Sequence, residues 1–174
     1  MLPYYGGLTI FNNNGRLWLN NSSASIGWNT SYGNCNFSGT LKIDQGTFTM
    51  GDGDDSFQID NSGVLDMTGG LLTIFGRLTS NTGAAPANAT FTMSGGEIKV
   101  DPQHTFNIPN NQQIVTFSSN SVVNFTGGTL TVVDPLFDRL DLNQNSVEFT
   151  GTVGVKNLIG STIQFGDGVS TSAG

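Results

Sequence analysis

The densest group of potential metal ligands lies in the segment 51–57, whose sequence is Gly-Asp-Gly-Asp-Asp-Ser-Phe. Calcium takes about six to eight oxygen ligands, and carboxylates combined with the carbonyl groups of a glycine turn can supply them. We therefore predict a calcium site at Asp52, Asp54 and Asp55, with a solvent-exposed acidic corner as the alternative interpretation. No other cofactor is indicated, because the sequence contains no zinc-ligand spacing, phosphate-binding loop or dinucleotide fingerprint.

One dense ionic cluster could serve catalysis, and its members are Asp134, Asp138, Arg139 and Asp141. A hydrolase or lyase needs carboxylates or basic groups that converge on one side of the substrate. Asp138 and Asp141 are three residues apart and would point to opposite sides of a strand, which favours a solvated loop. The single histidine, His104, has no neighbouring serine or cysteine nucleophile motif. We predict no catalytic residues and no enzyme activity, with a polysaccharide-degrading enzyme as an alternative.

Tryptophan and tyrosine are concentrated at the beginning of the chain, at Tyr4, Tyr5, Trp18, Trp28 and Tyr32. Phenylalanine, in contrast, is spread along the chain at repeat positions that suit a core. Because Trp and Tyr combine a large apolar face with a polar tip, they suit wet binding surfaces. We predict that Trp18, Trp28 and Tyr32 bind a glycan. The alternative is that these side chains fill an irregular N-terminal end of the fold.

Charge and hydropathy exclude several kinds of partner. The formal net charge is −7, from 6 Lys and Arg against 13 Asp and Glu. Nucleic-acid binding depends on clustered Lys and Arg, so we expect no nucleic-acid partner. No apolar run approaches the roughly 18 residues that a membrane-spanning helix requires, so we expect no membrane insertion. The single cysteine, Cys35, cannot form an internal disulfide.

A short motif recurs along the chain, consisting of one or two glycines followed by a strand in which apolar and polar residues alternate. The first glycine of each copy is Gly6, Gly39, Gly69, Gly95, Gly127 or Gly151, with a mean spacing of about 29 residues. The residue two positions before that glycine is always large and apolar or aromatic. These residues are Tyr4, Phe37, Met67, Met93, Phe125 and Phe149.

Alternation with a period of two places the apolar residues on one face of a strand, and glycine allows the positive φ of a tight corner. These features predict an all-β fold, a parallel β-helix or solenoid of about six coils with equivalent residues stacked ~4.8 Å apart. We expect right-handed coiling because the coils are long and irregular. The alternative is an antiparallel β-sandwich in which each Gly-Gly is a hairpin turn. The recurrence of one motif along the chain favours the solenoid, because a sandwich of hairpins needs no equivalent residue every 29 positions or so.

The stretches Gly69-Gly70-Leu71-Leu72-Thr73-Ile74 and Gly127-Gly128-Thr129-Leu130-Thr131-Val132 resemble the repeats of bacterial surface β-helix proteins. These include autotransporter passenger domains and filamentous-haemagglutinin-like adhesins. The resemblance implies a secreted, surface-exposed protein with an adhesive or scaffolding role, and it carries over no binding residue. The segment 51–57 also resembles the calcium-binding nonapeptide of RTX proteins, with Met50 at the position of that motif's leading glycine.

We expect a single domain over residues 1–174, with an irregular N-terminal part (1–36) and the main repeats (37–165), as a segment of a longer chain. The expected function is that of an extracellular structural unit of a cell-surface fibre, layer or adhesin stalk. End-to-end stacking would make it a homo-oligomer. One alternative is an adhesive module that binds glycan or another surface.

Ice binding is a further alternative, suggested by the threonine pairs Thr47 and Thr49, Thr90 and Thr92, and Thr129 and Thr131. Such pairs order water only when they share one flat face. The second pair precedes its glycines and the third follows them, which places the two pairs on different strands and counts against ice binding.

Overall fold

The computed structural model describes residues 15–28, 35–59, 62–80, 88–100, 115–117, 120–133, 147–149 and 156–165. For residues 28, 35, 36, 52–56, 147–149, 156 and 165 only the backbone is described.

Every regular element in this part of the chain is a β-strand. The strands are β1 (Arg16–Trp28), β2 (Cys35–Phe37), β3 (Thr40–Ile59), β4 (Val64–Met67), β5 (Leu71–Ser80), β6 (Thr90–Val100), β7 (Val115–Phe117), β8 (Val122–Val132), β9 (Val147–Phe149), β10 (Lys156–Asn157) and β11 (Thr162–Phe165). No described residue is helical, and hence none of the described segments is a helix that could cross a membrane. The all-β class predicted from the sequence is confirmed for these residues.

The described strands join one sheet, and every pairing between them is parallel. Thr40 pairs with Val64, which lies 24 residues later, and Val64 pairs with Thr90, 26 residues later. Thr90 in turn pairs with Val122, 32 residues further on. A hairpin would give antiparallel neighbours only a few residues apart. The antiparallel sandwich is therefore wrong for the described strands.

Glycines lie at corners between two parallel-paired segments, within β3, β6 and β8 and between β4 and β5. Gly46, Gly70, Gly96 and Gly128 each directly precede a residue of one register column, formed by Thr47, Leu71, Glu97 and Thr129. All four of these glycines have a positive φ, between 70° and 86°. The positive φ expected at the glycine corner is confirmed at these positions.

In the first and the last described copies of the repeat, the stacked strand begins at a different residue from the one that the sequence predicted. Gly39 is not equivalent to Gly69, because the residue after it, Thr40, pairs with Val64 and not with Leu71. The equivalent corner is Gly46, before the segment Thr47–Met50. At the other end, Thr129 pairs with Thr162, so the stacked strand does not begin after Gly151.

The core consists of apolar side chains at alternating strand positions, stacked from one strand to the next. Met67, Met93 and Phe125 occupy one such column and are at most 1% exposed, as expected from their position before the glycines. The equivalent residue in β3 is Ile43, not Phe37. After the corner, Phe48, Leu72, Ile98 and Leu130 form a second fully buried column. This continuous interior fixes which residues of each strand face solvent.

Candidate functional site

The residues proposed as calcium ligands lie in an irregular part of β3. Met50 pairs with Ile74 and Asp55 pairs with Gly76, so five residue steps on β3 match two on β5. The surplus backbone of β3, which includes Asp52 and Asp54, must bulge away from the sheet ladder, and such bulges commonly lie beside functional sites. The structure describes the backbone of Asp52, Asp54 and Asp55 but not their side chains. The calcium site therefore stays a prediction.

Among the residues whose side chains are described, no group of three or more His, Cys, Asp or Glu side chains could hold a metal ion. The ionic cluster of Asp134, Asp138, Arg139 and Asp141 lies outside the described residues, as does His104.

The three aromatic residues proposed as glycan ligands occupy different places. Trp18 pairs with Lys42 before the corner of β1, whereas Trp28 pairs with Met50 after it. The register position of Trp28 is thus that of a core column, since Met50 is fully buried, and its side chain is not described. Tyr32 lies outside the described residues. Only Trp18 can be placed on the surface, where 60% of its area is exposed.

Trp18 is held in place by its polar edge. Its indole N–H donates a hydrogen bond of 2.7 Å to the carboxylate of Asp44, which belongs to the neighbouring strand β3. The hydrogen bond satisfies the only donor that the indole carries. The face of the ring is left on the surface while its edge is anchored.

Asp44 is the centre of this network. It also accepts a 2.5 Å hydrogen bond from the hydroxyl of Thr68 and contacts the ammonium group of Lys42 at 3.4 Å. The Thr68 hydrogen bond has the largest effect and lowers the pKa of Asp44. Partial burial, the next largest effect, opposes it, and the Trp18 hydrogen bond and the Lys42 charge lower the pKa further. The carboxylate is therefore charged at neutral pH and already has three partners, in β1, in β3 and directly after β4.

Lys42 links Asp44 to the next strand. Its ammonium group is 3.4 Å from Asp44 and 3.4 Å from the carboxylate of Asp66 in β4. The negative charge of Asp66, followed by that of Asp44, raises the pKa of Lys42. Asp66 in turn accepts a 2.7 Å hydrogen bond from Thr92 in β6. Polar contacts thus run continuously across four strands.

We call the surface column that contains these side chains the outer row. Its members are consecutive register partners, one from each strand, and they are Trp18, Lys42, Asp66, Thr92, Asn124 and Asn157. The last two are joined by a 2.8 Å hydrogen bond between their side-chain amides. At the ~4.8 Å spacing of neighbouring strands the row is roughly 24 Å long.

A second surface column lies after the glycine corner and contains the first threonine of two of the pairs. Thr47 and Thr129 share this column, but Leu71 and Glu97 separate them. Thr90 belongs to the strand segment before the corner, as expected. The threonines of the described strands therefore do not form one continuous array.

Sequence reasoning identified Trp18 but missed Lys42, Asp44 and Asp66, and it considered Thr92 only for ice binding. A signal for the row was nevertheless present. The strand segments that end at the large apolar residue before each corner read Leu-Lys-Ile (41–43), Leu-Asp-Met (65–67), Phe-Thr-Met (91–93) and Val-Asn-Phe (123–125). Aligning these segments places the middle residue of each in one surface column.

Comparison of the sequence and structure with protein-family models, with curated proteins and with solved structures finds no match. The function must therefore be argued from the geometry of the chain.

Proposed function

We propose that the chain is a right-handed parallel β-helix of about six coils that serves as an extracellular structural unit of a cell-surface fibre, layer or stalk. The observation that carries this proposal is the register. Three segments of β3 pair, in order, with β4 and with the two halves of β5, which lie one repeat later in the chain. Stacking of successive coils, each with three short strands, accounts for these pairings.

The packing of the interior supports a structural role. The apolar columns are filled by large side chains that are almost fully buried, including Phe48, Phe57, Phe91 and Phe125. Outside, charged residues are few, and polar side chains bridge one strand to the next. A rod of this kind carries neighbour-to-neighbour contacts along its axis and can be extended by adding coils. The resemblance to bacterial surface β-helix proteins supports an extracellular location.

Engineered disulfides test the stacking of coils. In a Cys35→Ser background, Thr92→Cys combined with Asn124→Cys places two thiols on register partners, whose Cα atoms lie ~5 Å apart, within reach of a disulfide. Oxidation is expected to give a cross-linked protein that unfolds at a higher temperature than its reduced form. The readouts are a gel-shift assay of free thiols and thermal unfolding with and without reductant.

The matched control combines Thr92→Cys with Val122→Cys. Val122 is the partner of Thr90, so it lies two residues away from the register position of Thr92. The Cα separation is then about 8 Å, too long for an unstrained disulfide. Equal cross-linking of both pairs would contradict the proposed register.

Self-association tests the role as a building block. Electron microscopy of the purified chain at rising concentration is expected to show filaments or sheets with a regular axial repeat.

The predicted calcium site is tested on the same samples, which are prepared with calcium and with a chelator. If calcium occupies the predicted site, assembly or thermal stability should fall on chelation, and Asp54→Asn should remove that difference. Dispersed short rods under all conditions would count against the structural role.

A second candidate function, adhesion to a glycan, is favoured by one observation. Trp18 is 60% exposed and lies beside the polar side chains of Asp44 and Lys42 on the neighbouring strand β3. Tryptophan combines a large apolar face with a polar tip and is enriched at binding surfaces.

A further inference from the structure

We propose that the outer row binds a neutral polysaccharide lying along it, with the exposed face of Trp18 as the surface on which one sugar ring stacks. The inference rests on adhesion, the second of the two proposed functions, and specifies its site and its class of ligand.

Trp18 is held in place before any ligand arrives. Its N–H is bound by Asp44, which Thr68 and Lys42 hold in turn. A side chain that is already ordered loses little conformational entropy on binding. The face of the indole carries negative potential, which attracts the partly positive C–H groups on the flat side of a sugar ring.

A row of polar groups continues from the ring of Trp18 along the neighbouring strands. Carboxylate, hydroxyl and amide groups follow one another at Asp66, Thr92 and Asn124, each on the next strand. Hydroxyl groups of a sugar both donate and accept hydrogen bonds, so such a mixture of acceptors and donors suits them. The regular strand spacing suits an extended polymer better than a small compact ligand.

The charges of the outer row favour a neutral ligand. The row carries Asp66 with Asp44 at its side, and Lys42, the cation within the row, is paired with both. A polyanionic glycan would meet two carboxylates and a chain of net charge −7. A free cation would have to displace Lys42 and the hydroxyl donors that already bind these carboxylates. A neutral polysaccharide needs no such displacement.

The polar character of the row also argues against a protein partner. Protein interfaces have an apolar centre, whereas Trp18 is the only large apolar side chain in the row and its neighbours are hydrogen-bonded polar groups. The single aromatic surface therefore suits one sugar ring better than a packed protein interface.

The test measures depletion of the protein from solution by microcrystalline cellulose and by chitin, two insoluble neutral polysaccharides. We expect at least one of them to retain the protein, and Trp18→Ala to weaken retention about 5- to 10-fold. Trp18→Phe keeps a flat ring without the N–H and should retain part of the binding. The matched control is Ile159→Ala, because Ile159 is the other large exposed apolar residue of the described chain, at 83% exposure.

Two further measurements decide the extent of the row and its preference for neutral ligands. Asn124→Ala should also weaken retention, and soluble alginate, a polyanion, should not compete. Thermal unfolding of every variant verifies that the fold is intact. Absence of retention by both solids overturns the proposal, as do equal effects of Trp18→Ala and Ile159→Ala, unchanged retention for Asn124→Ala, or competition by alginate. None of these outcomes affects the disulfide and microscopy tests, so the structural proposal stands or fails separately.

Discussion

Gly96→Ala is expected to destabilise the protein by about 3 kcal/mol or more. Gly96 lies at a corner within β6 and has a φ of 80°, a conformation that costs a residue with a Cβ atom about 1–2 kcal/mol. The added Cβ would also lie 2.5 Å from the carbonyl oxygen and 2.6 Å from the carbonyl carbon of Gly69. Both are backbone atoms of the preceding corner and cannot rotate away. Urea unfolding followed by circular dichroism measures the loss.

Gly27→Ala is the matched control for this substitution. Gly27 also lies in a strand, β1, but an added Cβ would have no neighbour within 4 Å, and the residue does not have a positive φ. Its replacement is expected to change the free energy of unfolding by no more than about 0.5 kcal/mol. Similar unfolding midpoints for the two variants would show that the corner is not as tightly packed as the structure indicates.

The strand class and the buried positions could be predicted from the sequence because they depend on local alternation. Met67, Met93 and Phe125 were expected to stack, and they are register partners within the core. Alternation with a period of two determines which residues face inward whatever the partner strand is. The same local signal could not distinguish the parallel solenoid from the antiparallel sandwich, and only recurrence of the motif separated them.

Pairing between strands could not be predicted equally well, because it is set by contacts between residues far apart in the chain. The segments after Gly39 and after Gly46 both consist of alternating apolar and polar residues, so the sequence offered two equivalent alignments. The corner geometry decides between them. Gly70 has a φ of 70°, and an added Cβ there would lie 2.7 Å from the carbonyl oxygen of Gly46, so these two corners stack closely. No pattern within a single copy contains this information.

The hydrogen-bond network around Trp18 could not be predicted from the sequence either. Trp18 was recognisable by its residue type, but Asp44, which anchors its indole, lies 26 residues away in the sequence. Thr68 and Asp66 also reach this network from other strands. A network made only of contacts between neighbouring strands has no characteristic spacing until the register is known. Such a network can therefore be recognised only once the fold is known.

Phe91→Ala is expected to cost about 3–5 kcal/mol, the range for removing a buried phenylalanine side chain. Phe91 is fully buried and packs edge-to-face on Phe117, with ring centroids 4.9 Å apart. Phe117 contacts Phe125 in the same way at 6.1 Å. Removing the Phe91 ring therefore leaves a cavity and also removes one of the two rings that Phe117 contacts. Urea unfolding measures the cost, and Phe91→Leu, which fills much of the cavity, is expected to lose less than half as much.

The position of Phe91 also determines how the damage should spread. It is the register partner of Leu65 on one side and Val123 on the other, so the cavity faces β4 and β8 as well as β6. In a fold whose stability comes from contacts between successive repeats, a defect weakens the adjoining interfaces first. Hydrogen exchange is therefore expected to accelerate in β4, β6 and β8 together, more than in β1. Acceleration confined to β6 would indicate that the strands are not energetically coupled through this column.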